Sequence, residues 1–407
     1  MSNVWKWRLA IVAAAIVAYA PAVNNGFIAD DYMILRRIDL MKSDPFYLLA
    51  VVPENFRLTS YAVFAALRSL FSYSYAFYYA LNILLHAANC LLLYSIVQEL
   101  TGDSRLSPVS ALLFAVFQAP QEAVMWLAAM NETLLGLFTF LTLLLWLRGR
   151  YRWAAVSFLG ALFSKESAVI ILFLVPLIDV LGRRGLRWRQ YAVLLAPTLV
   201  FGSLFLLTLG GNFQVGNGTY LPGPHAALVL FKSLHRLLWP WAYVCVVALL
   251  LMKRTIPGWR GAAAWSALIL VTLLPYIFVT YTDNIPSRQV YLASAAFLPL
   301  LAAGLLHAGP KLFVPAFLVF NVGYMWAVKD RQMMERAAPT TELIQELKHR
   351  EPGPVRVSRF PYPIAIIAKA AAVTVPGWQW HEVDLGDSCT RCLVLEWNRE
   401  TGKYVAH

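Results

Sequence analysis

Apolar runs recur along this chain as far as about residue 328, and they leave few folds open to it. A backbone surrounded by hydrocarbon has no water to satisfy its N–H and C=O groups, so each segment must satisfy them internally, and a helix does so. The runs lie near Trp7 to Val23, Tyr75 to Val97, Pro108 to Phe117, Leu134 to Leu147, Trp153 to Phe163, Ala168 to Leu181 and Tyr191 to Leu209. Four more follow near Trp241 to Met252, Ala262 to Tyr281, Val290 to Leu306 and Leu312 to Val328. They predict an all-α polytopic membrane protein of about eleven crossings. Several runs are shorter than the roughly 20 helical residues that a bilayer requires, a pattern expected around a funnel or cavity. With 59% hydrophobic and 14% charged residues, the 407-residue chain lies outside the range of soluble domains.

Lysine and arginine set the expected orientation. Arg148, Arg150 and Arg152 fall in one short loop, Arg183, Arg184, Arg187 and Arg189 in another, and Lys253, Arg254 and Arg260 in a third. By the positive-inside rule these loops and the N-terminus face the cytoplasm. The first apolar run ends in Asn24-Asn25-Gly26-Phe27 with no small-x-small cleavage site, and it reads as a transmembrane helix. The intervening turns then face outward and hold nearly every carboxylate before residue 329: Asp30, Asp31, Asp39, Asp44, Glu54, Glu122, Glu132, Glu166 and Asp283.

The net charge of +12 does not point to nucleic acid. Residues 330–407 carry ten basic and ten acidic residues, so the whole excess belongs to the membrane part, where topology and anionic lipid account for it. The chain divides into a transmembrane domain, 1–328, and a small extracytoplasmic α+β module, 329–407. In the module, Pro339 to Arg350 reads as a short helix with Thr341 as its cap, and Val355 to Ser358, Ala371 to Val375 and Leu393 to Trp397 read as strands. Cys90 and Cys245 lie in apolar helices as packing residues. Cys389 and Cys392 lie in the tail, where an oxidising compartment favours a structural disulfide over a redox or metal role.

Asp30-Asp31 directly follows the first crossing. Two adjacent carboxylates at the mouth of a hydrophobic bundle are costly unless they bind a cation or move a proton. Glu122 lies in a polar break between two apolar helices, and Glu132 opens the next one, where a helix cap is an alternative reading. Lys165-Glu166 interrupts another apolar stretch, either as a site or as an internal ion pair holding two helices together. Arg36, Arg37, Arg57, then Lys232, His235 and Arg236 in the long loop, and Arg288 supply donors suited to phosphate oxygens or to snorkelling at the headgroups. His86 sits in a membrane helix, where packing or a hydrogen bond to a neighbouring helix is its expected role. The loop from Gly210 to Pro240 reads as a mobile lid or as a connector anchored by Trp239 and Trp241.

Phe27-Ile28-Ala29-Asp30-Asp31, the stretch Leu81 to Tyr94 with Asn82, His86 and Asn89, Glu122-Ala123-Val124-Met125-Trp126, Ser164-Lys165-Glu166 and Arg288-Gln289-Val290-Tyr291-Leu292-Ala293-Ser294 occur in that order. This set resembles the membrane half of the transmembrane and tetratricopeptide-repeat O-mannosyltransferases, and more broadly the GT-C superfamily, over roughly residues 5–310. The resemblance implies a glycosyltransferase whose donor is a polyprenyl-phosphate-linked sugar and whose first outer loop carries the catalytic carboxylate. By position, Asp30 and Asp31 match the family's acidic pair, with Asp30 favoured as base and Asp31 orienting the acceptor or the first-loop helix, and Arg57, Lys165, Glu166, Arg288 and Tyr291 surround the lipid phosphate, supported by Glu122, Glu132 and His86. An inverting displacement follows. The acceptor is an exported protein or a glycan, at a bacterial plasma membrane. A divalent cation, Mg or Mn, enters only where Asp30, Asp31 and Glu122 converge. Two departures stand out: the repeats are absent, and Phe117-Gln118-Ala119-Pro120-Gln121 replaces a His-Pro-x-His element. A transporter or flippase of lipid-linked sugars is the alternative class, although it calls for repeat symmetry and polar groups at mid-membrane.

Overall fold

The computed structural model describes residues 2–44, 57–208, 216, 218–253, 259–362, 366–385 and 392–407. In chain order its longer helices are α1 Ser2–Tyr19, α2 Asp30–Ser43, α3 Leu58–Phe71, α4 Tyr75–Thr101, α5 Leu106–Val116, α6 Met130–Leu147, α7 Tyr151–Ser164 and α8 Ile171–Leu181. They continue with α9 Leu195–Thr208, α10 His225–Leu238, α11 Trp241–Leu251, α12 Trp259–Leu273, α13 Tyr291–Ala308, α14 Pro310–Tyr324, α15 Asp330–Lys348 and α16 Ile366–Ala372. Among the described residues six helices are long and apolar enough to cross a membrane, or seven if α10 and α11, bent by 61° at their junction, form one span. The other runs counted in the sequence as crossings are shorter, such as α5 and α7 with 11 and 14 residues. The protein is therefore a helical membrane protein.

The best-packed part is built from α1, α4, α5, α6 and α13. α4 shows how a membrane helix is held without a hydrophobic driving force between neighbours. Asn82, His86 and Asn89 recur at helical spacing on one face, and all three are fully buried. Asn82 Nδ2 donates to the carbonyls of Ala123 (3.0 Å) and Val124 (2.9 Å), and Thr133 Oγ1 donates to Asn82 Oδ1 (2.6 Å). Asn89 Nδ2 donates to Thr133 O and to Tyr291 Oη, both at 2.9 Å, while His86 Nδ1 shares a 2.8 Å bond with Tyr291 Oη. These bonds tie α4 to the 122–126 turn, α6 and α13.

Pro310–Lys348 is a continuous helical stretch of 39 residues in which a π-turn, Met325–Lys329, joins α14 to α15. The expected domain boundary at 328/329 falls inside it. So does the expected short helix from Pro339: Pro339 lies within α15, and Thr341 is an interior residue, not a cap. Beyond it lies a four-stranded sheet of order β2-β1-β3-β4, formed by β1 Val355–Ser358, β2 Val383–Asp384, β3 Leu393–Asn398 and β4 Lys403–Ala406. β1 runs parallel to β2 and β3, and β3 and β4 form a hairpin pairing Trp397 with Tyr404. The segment expected as a strand at Ala371 to Val375 instead ends helix α16. Its alanines explain the difference, since Ile366–Ala372 is rich in the strongest helix former. Leu343, Leu347, Val355, Trp378, Val383 and Leu395 form the module's own core.

Part of the Gly210 to Pro240 loop lies outside the described residues, as do Cys389, Glu54 and Arg254. The remainder corrects the expectation, because His225–Leu238 is a helix and Trp241 is buried against Phe317. Trp239 is exposed. Cys90 and Cys245 are free and buried, and Cys392 is disulfide-bonded.

Candidate active site

The loop between α1 and α2 is fixed from three sides. Tyr79 Oη donates to Gly26 O (2.9 Å), Thr340 Oγ1 to Phe27 O (3.4 Å) and Trp126 Nε1 to Ile28 O (3.3 Å). At Ala29 the backbone takes φ 45° and ψ −104°. A residue bearing a Cβ occupies that region only when its surroundings over-determine it. Asp31 completes the clamp. Fully buried, it accepts the Ile28 N–H (2.7 Å) and the Ala128 N–H (2.5 Å), one on each carboxylate oxygen. Burial pushes its carboxyl well up, against those two bonds.

Asp30 points elsewhere. It lines a cavity of about 560 Å³ together with Arg37, Arg57, Trp126, Lys165 and Arg288, and Asn131, Tyr220 and Tyr281 complete the polar wall. Among the described residues its carboxylate takes no hydrogen bond. Burial raises its pKa, and the charges of Arg288 and Arg37 offset only part of that rise. The adjacent carboxylates thus differ in kind: one closes a turn, and the other is presented to the cavity.

Lys165-Glu166 is not a mutual ion pair. α7 ends at Ser164, and Lys165 takes an extended conformation that sends the two side chains to different partners. Lys165 Nζ donates to Glu132 Oε1, and Tyr276 Oη donates to Glu132 Oε2 at 3.1 Å. Glu166 pairs with Arg57 at 3.4 Å. Glu132 lies in the first turn of α6, where its charge suits the helix, but it serves chiefly as counterion to a buried lysine.

Glu122 binds the loop before α13 to the tail. Its carboxylate accepts the Ser287 N–H (2.8 Å) and Arg336 Nη1 (2.7 Å), with Arg288 Nη1 at 3.7 Å. Burial opposes its ionisation, but Arg288 and Arg336 hold its carboxyl below the usual range. Trp126 stands between these cations, with the guanidinium of Arg288 4.7 Å and that of Arg336 5.8 Å from its ring centre.

The structure therefore gathers Asp30, Arg57, Lys165 and Arg288 around one cavity, with Glu132 and Glu166 behind the cations. Tyr291 and His86 lie elsewhere, buried against each other between α4 and α13. Arg37, expected from the sequence among the phosphate donors, lines the cavity, whereas Tyr276 and Arg336 join the site's surroundings without having been singled out. Arg37 had a signal, lying two helical turns beyond Asp30 on α2. Arg336 had none, since it lies beyond the stretch that carries the resemblance. For a metal, the donor set does not fit: Asp31 is committed to backbone N–H groups and Glu122 to two arginines. Among the described residues no group of three His, Cys, Asp or Glu side chains could hold an ion.

No family model and no curated protein matches this chain. Among solved structures, it is similar to the Archaeoglobus fulgidus oligosaccharyltransferase tethered to an acceptor peptide containing the NVT sequon, at 12% identity and a TM-score of 0.43. That match covers 92% of this chain and 64% of the other. The same protein in complex with Zn and sulfate matches at 13% identity and a TM-score of 0.40, covering 89% and 61%. The chain thus spans less than two thirds of the length of the oligosaccharyltransferase, and neither likeness assigns it to a family.

Proposed function

We propose that this protein is a GT-C-type glycosyltransferase that moves a sugar from a polyprenyl-phosphate donor to an acceptor hydroxyl on the extracytoplasmic face, with Asp30 as general base. The observation that carries this reading is the contrast within the acidic pair: Asp30 faces a cation-lined cavity and its carboxylate takes no hydrogen bond among the described residues, while Asp31 is spent on two backbone N–H groups. A carboxylate with a raised pKa, surrounded by fixed positive charge, suits proton abstraction in a site that must also stabilise a departing anion.

The acceptor oxygen bonds to the anomeric carbon from the face opposite the phosphate, and its proton passes to Asp30. The bond between that carbon and the phosphate oxygen breaks, and its electron pair leaves with the lipid phosphate. Configuration at the carbon inverts. Arg57, Lys165 and Arg288 lower the energy of the leaving phosphate, and Glu166 and Glu132 hold the first two in position. A protein hydroxyl and a glycan hydroxyl are equally compatible with this chemistry.

The test is sugar transfer from a radiolabelled polyprenyl-phosphate sugar by the purified full chain and by Asp30→Asn and Asp31→Asn. Asp30→Asn is expected to lose transfer by about 10²-fold or more, the range general-base catalysis contributes. Full transfer by Asp30→Asn would remove it as the base.

A further inference from the structure

On the other side of Trp126 and Arg288 lies a second cavity, of about 820 Å³, between the 283–288 loop, α15 and the C-terminal sheet. Five cations from five separate places in the fold line it: Arg236 at the end of α10, Arg288 before α13, Lys329 in the π-turn, Arg336 on α15 and Arg399 in the β3–β4 turn. Three acids line it as well. Glu122 is already shared by Arg336 and Arg288, Glu335 pairs with Arg331 at 3.1 Å, and Asp283 is exposed at the rim. Arg236 is half-buried and held by the Ile285 carbonyl at 2.5 Å, and Lys329 is held by Gln332 Oε1 at 3.1 Å. Neither of these two meets an acid in those bonds, so their charge is left for the cavity.

Cations converging from several directions suit a tetrahedral anion with several oxygens better than a planar carboxylate, which one guanidinium fork can satisfy. α10, which carries Arg236, turns by 61° into α11, and the π-turn that carries Lys329 follows α14. α11 and α14 line an apolar groove of about 450 Å³, with Trp239 at the α10–α11 junction and Tyr243, Val247, Leu251 and Phe313 along it.

We infer that this second cavity is a binding site for a phosphate-bearing ligand, separate from the Asp30 cavity and sharing with it only the Trp126–Arg288 wall. Phosphate can come from a lipid headgroup, whose chain would lie in the groove, or from a free or glycan-borne phosphate, which would leave the groove unused.

Titration of the purified full chain in detergent with farnesyl phosphate, farnesol and inorganic pyrophosphate separates these sources. Farnesyl phosphate is expected to fill two sites, this one and the donor site of the Asp30 cavity, and farnesol neither. Lys329→Gln combined with Arg399→Gln is expected to weaken one of the two sites about tenfold or more, as loss of charge-assisted bonds does. Arg57→Gln, which alters the first cavity alone, is expected to weaken the other site and to leave this one within about twofold, since distant sites add independently. At the site that the double variant weakens, pyrophosphate binding as tightly as farnesyl phosphate identifies the free-phosphate source, and much weaker pyrophosphate binding identifies the lipid source. Equal affinity of farnesol, unchanged affinity in the double variant, or loss in Arg57→Gln with none in the double variant would overturn the site. Because binding is read without transfer, failure of sugar transfer bears on Asp30 and leaves this cavity untouched.

Discussion

Asp30 and Asp31 are neighbours with the same side chain, yet removing each should break a different property. Asp30 ionises against its surroundings, because burial raises its pKa beyond what Arg288 and Arg37 recover. Its contribution to stability is greatest below the ordinary carboxylate pKa and falls as pH rises through the raised value. Asp30→Asn should therefore be at least as stable as the parent at neutral pH while losing transfer, a separation that thermal melting and activity assays detect together. Asp31→Ala should instead lower stability by roughly 2–4 kcal/mol, because two buried backbone N–H groups lose their acceptor. The pH profile follows from the same charges. Acidification through the raised pKa protonates Asp30, so with Asp30 as the proposed base kcat/KM should fall on the acid side at higher pH than for an ordinary aspartate. Arg37→Gln removes one of the two cations holding that pKa down and should move the acid limb further up in pH. A limb unmoved by Arg37→Gln would separate the two groups.

Between elements, the buried Lys165–Glu132 pair links α7 to α6, Tyr276 Oη bonds both members, and Ser167 in turn bonds Tyr276. Lys165→Met alone leaves Glu132 as an uncompensated charge and should cost about 3–5 kcal/mol by denaturation in mild detergent. Adding Glu132→Gln should recover much of that loss without recovering transfer. Sequence reasoning located both residues but not this pairing, because adjacency in Lys165-Glu166 says nothing about the extended backbone that parts them. The same limit applies to α4. Helical spacing of Asn82, His86 and Asn89 marks one polar face, but only the fold shows that the face braces Glu122's turn and α13. Strands β1 and β3 were legible from β-branched and aromatic alternation, whereas α16 was misread because a run of alanine and valine carries no period.

At the scale of the whole molecule, the hydropathy pattern identified a helical membrane protein, and Asp30, Arg57, Lys165 and Arg288, all named from the sequence, line one cavity. What stayed hidden was the part played by the tail. Arg336 reaches Glu122, Thr340 reaches the Asp30 loop and Arg36 stacks on Trp380 at 5.4 Å, all across sequence distances that no local pattern spans. The arginine-rich loops and the Asp30 cavity are expected on opposite sides of the membrane. In whole cells, a cysteine introduced at Arg399 should react with an impermeant maleimide, and one at Arg187 should react only after permeabilisation. The reverse pattern would invert the proposed orientation.

The 39-residue stretch from Pro310 to Lys348 is roughly 58 Å long at 1.5 Å per residue, nearly twice the thickness of a hydrocarbon core. It is a mast stepped in the bilayer and rigged to Glu122 and Phe27 partway up. A mast leans when its footing changes depth. If the Asp30 loop is the catalytic loop proposed above, membrane thickness becomes a mechanical input to it, and transfer rates that vary across nanodiscs of graded acyl length would read it out.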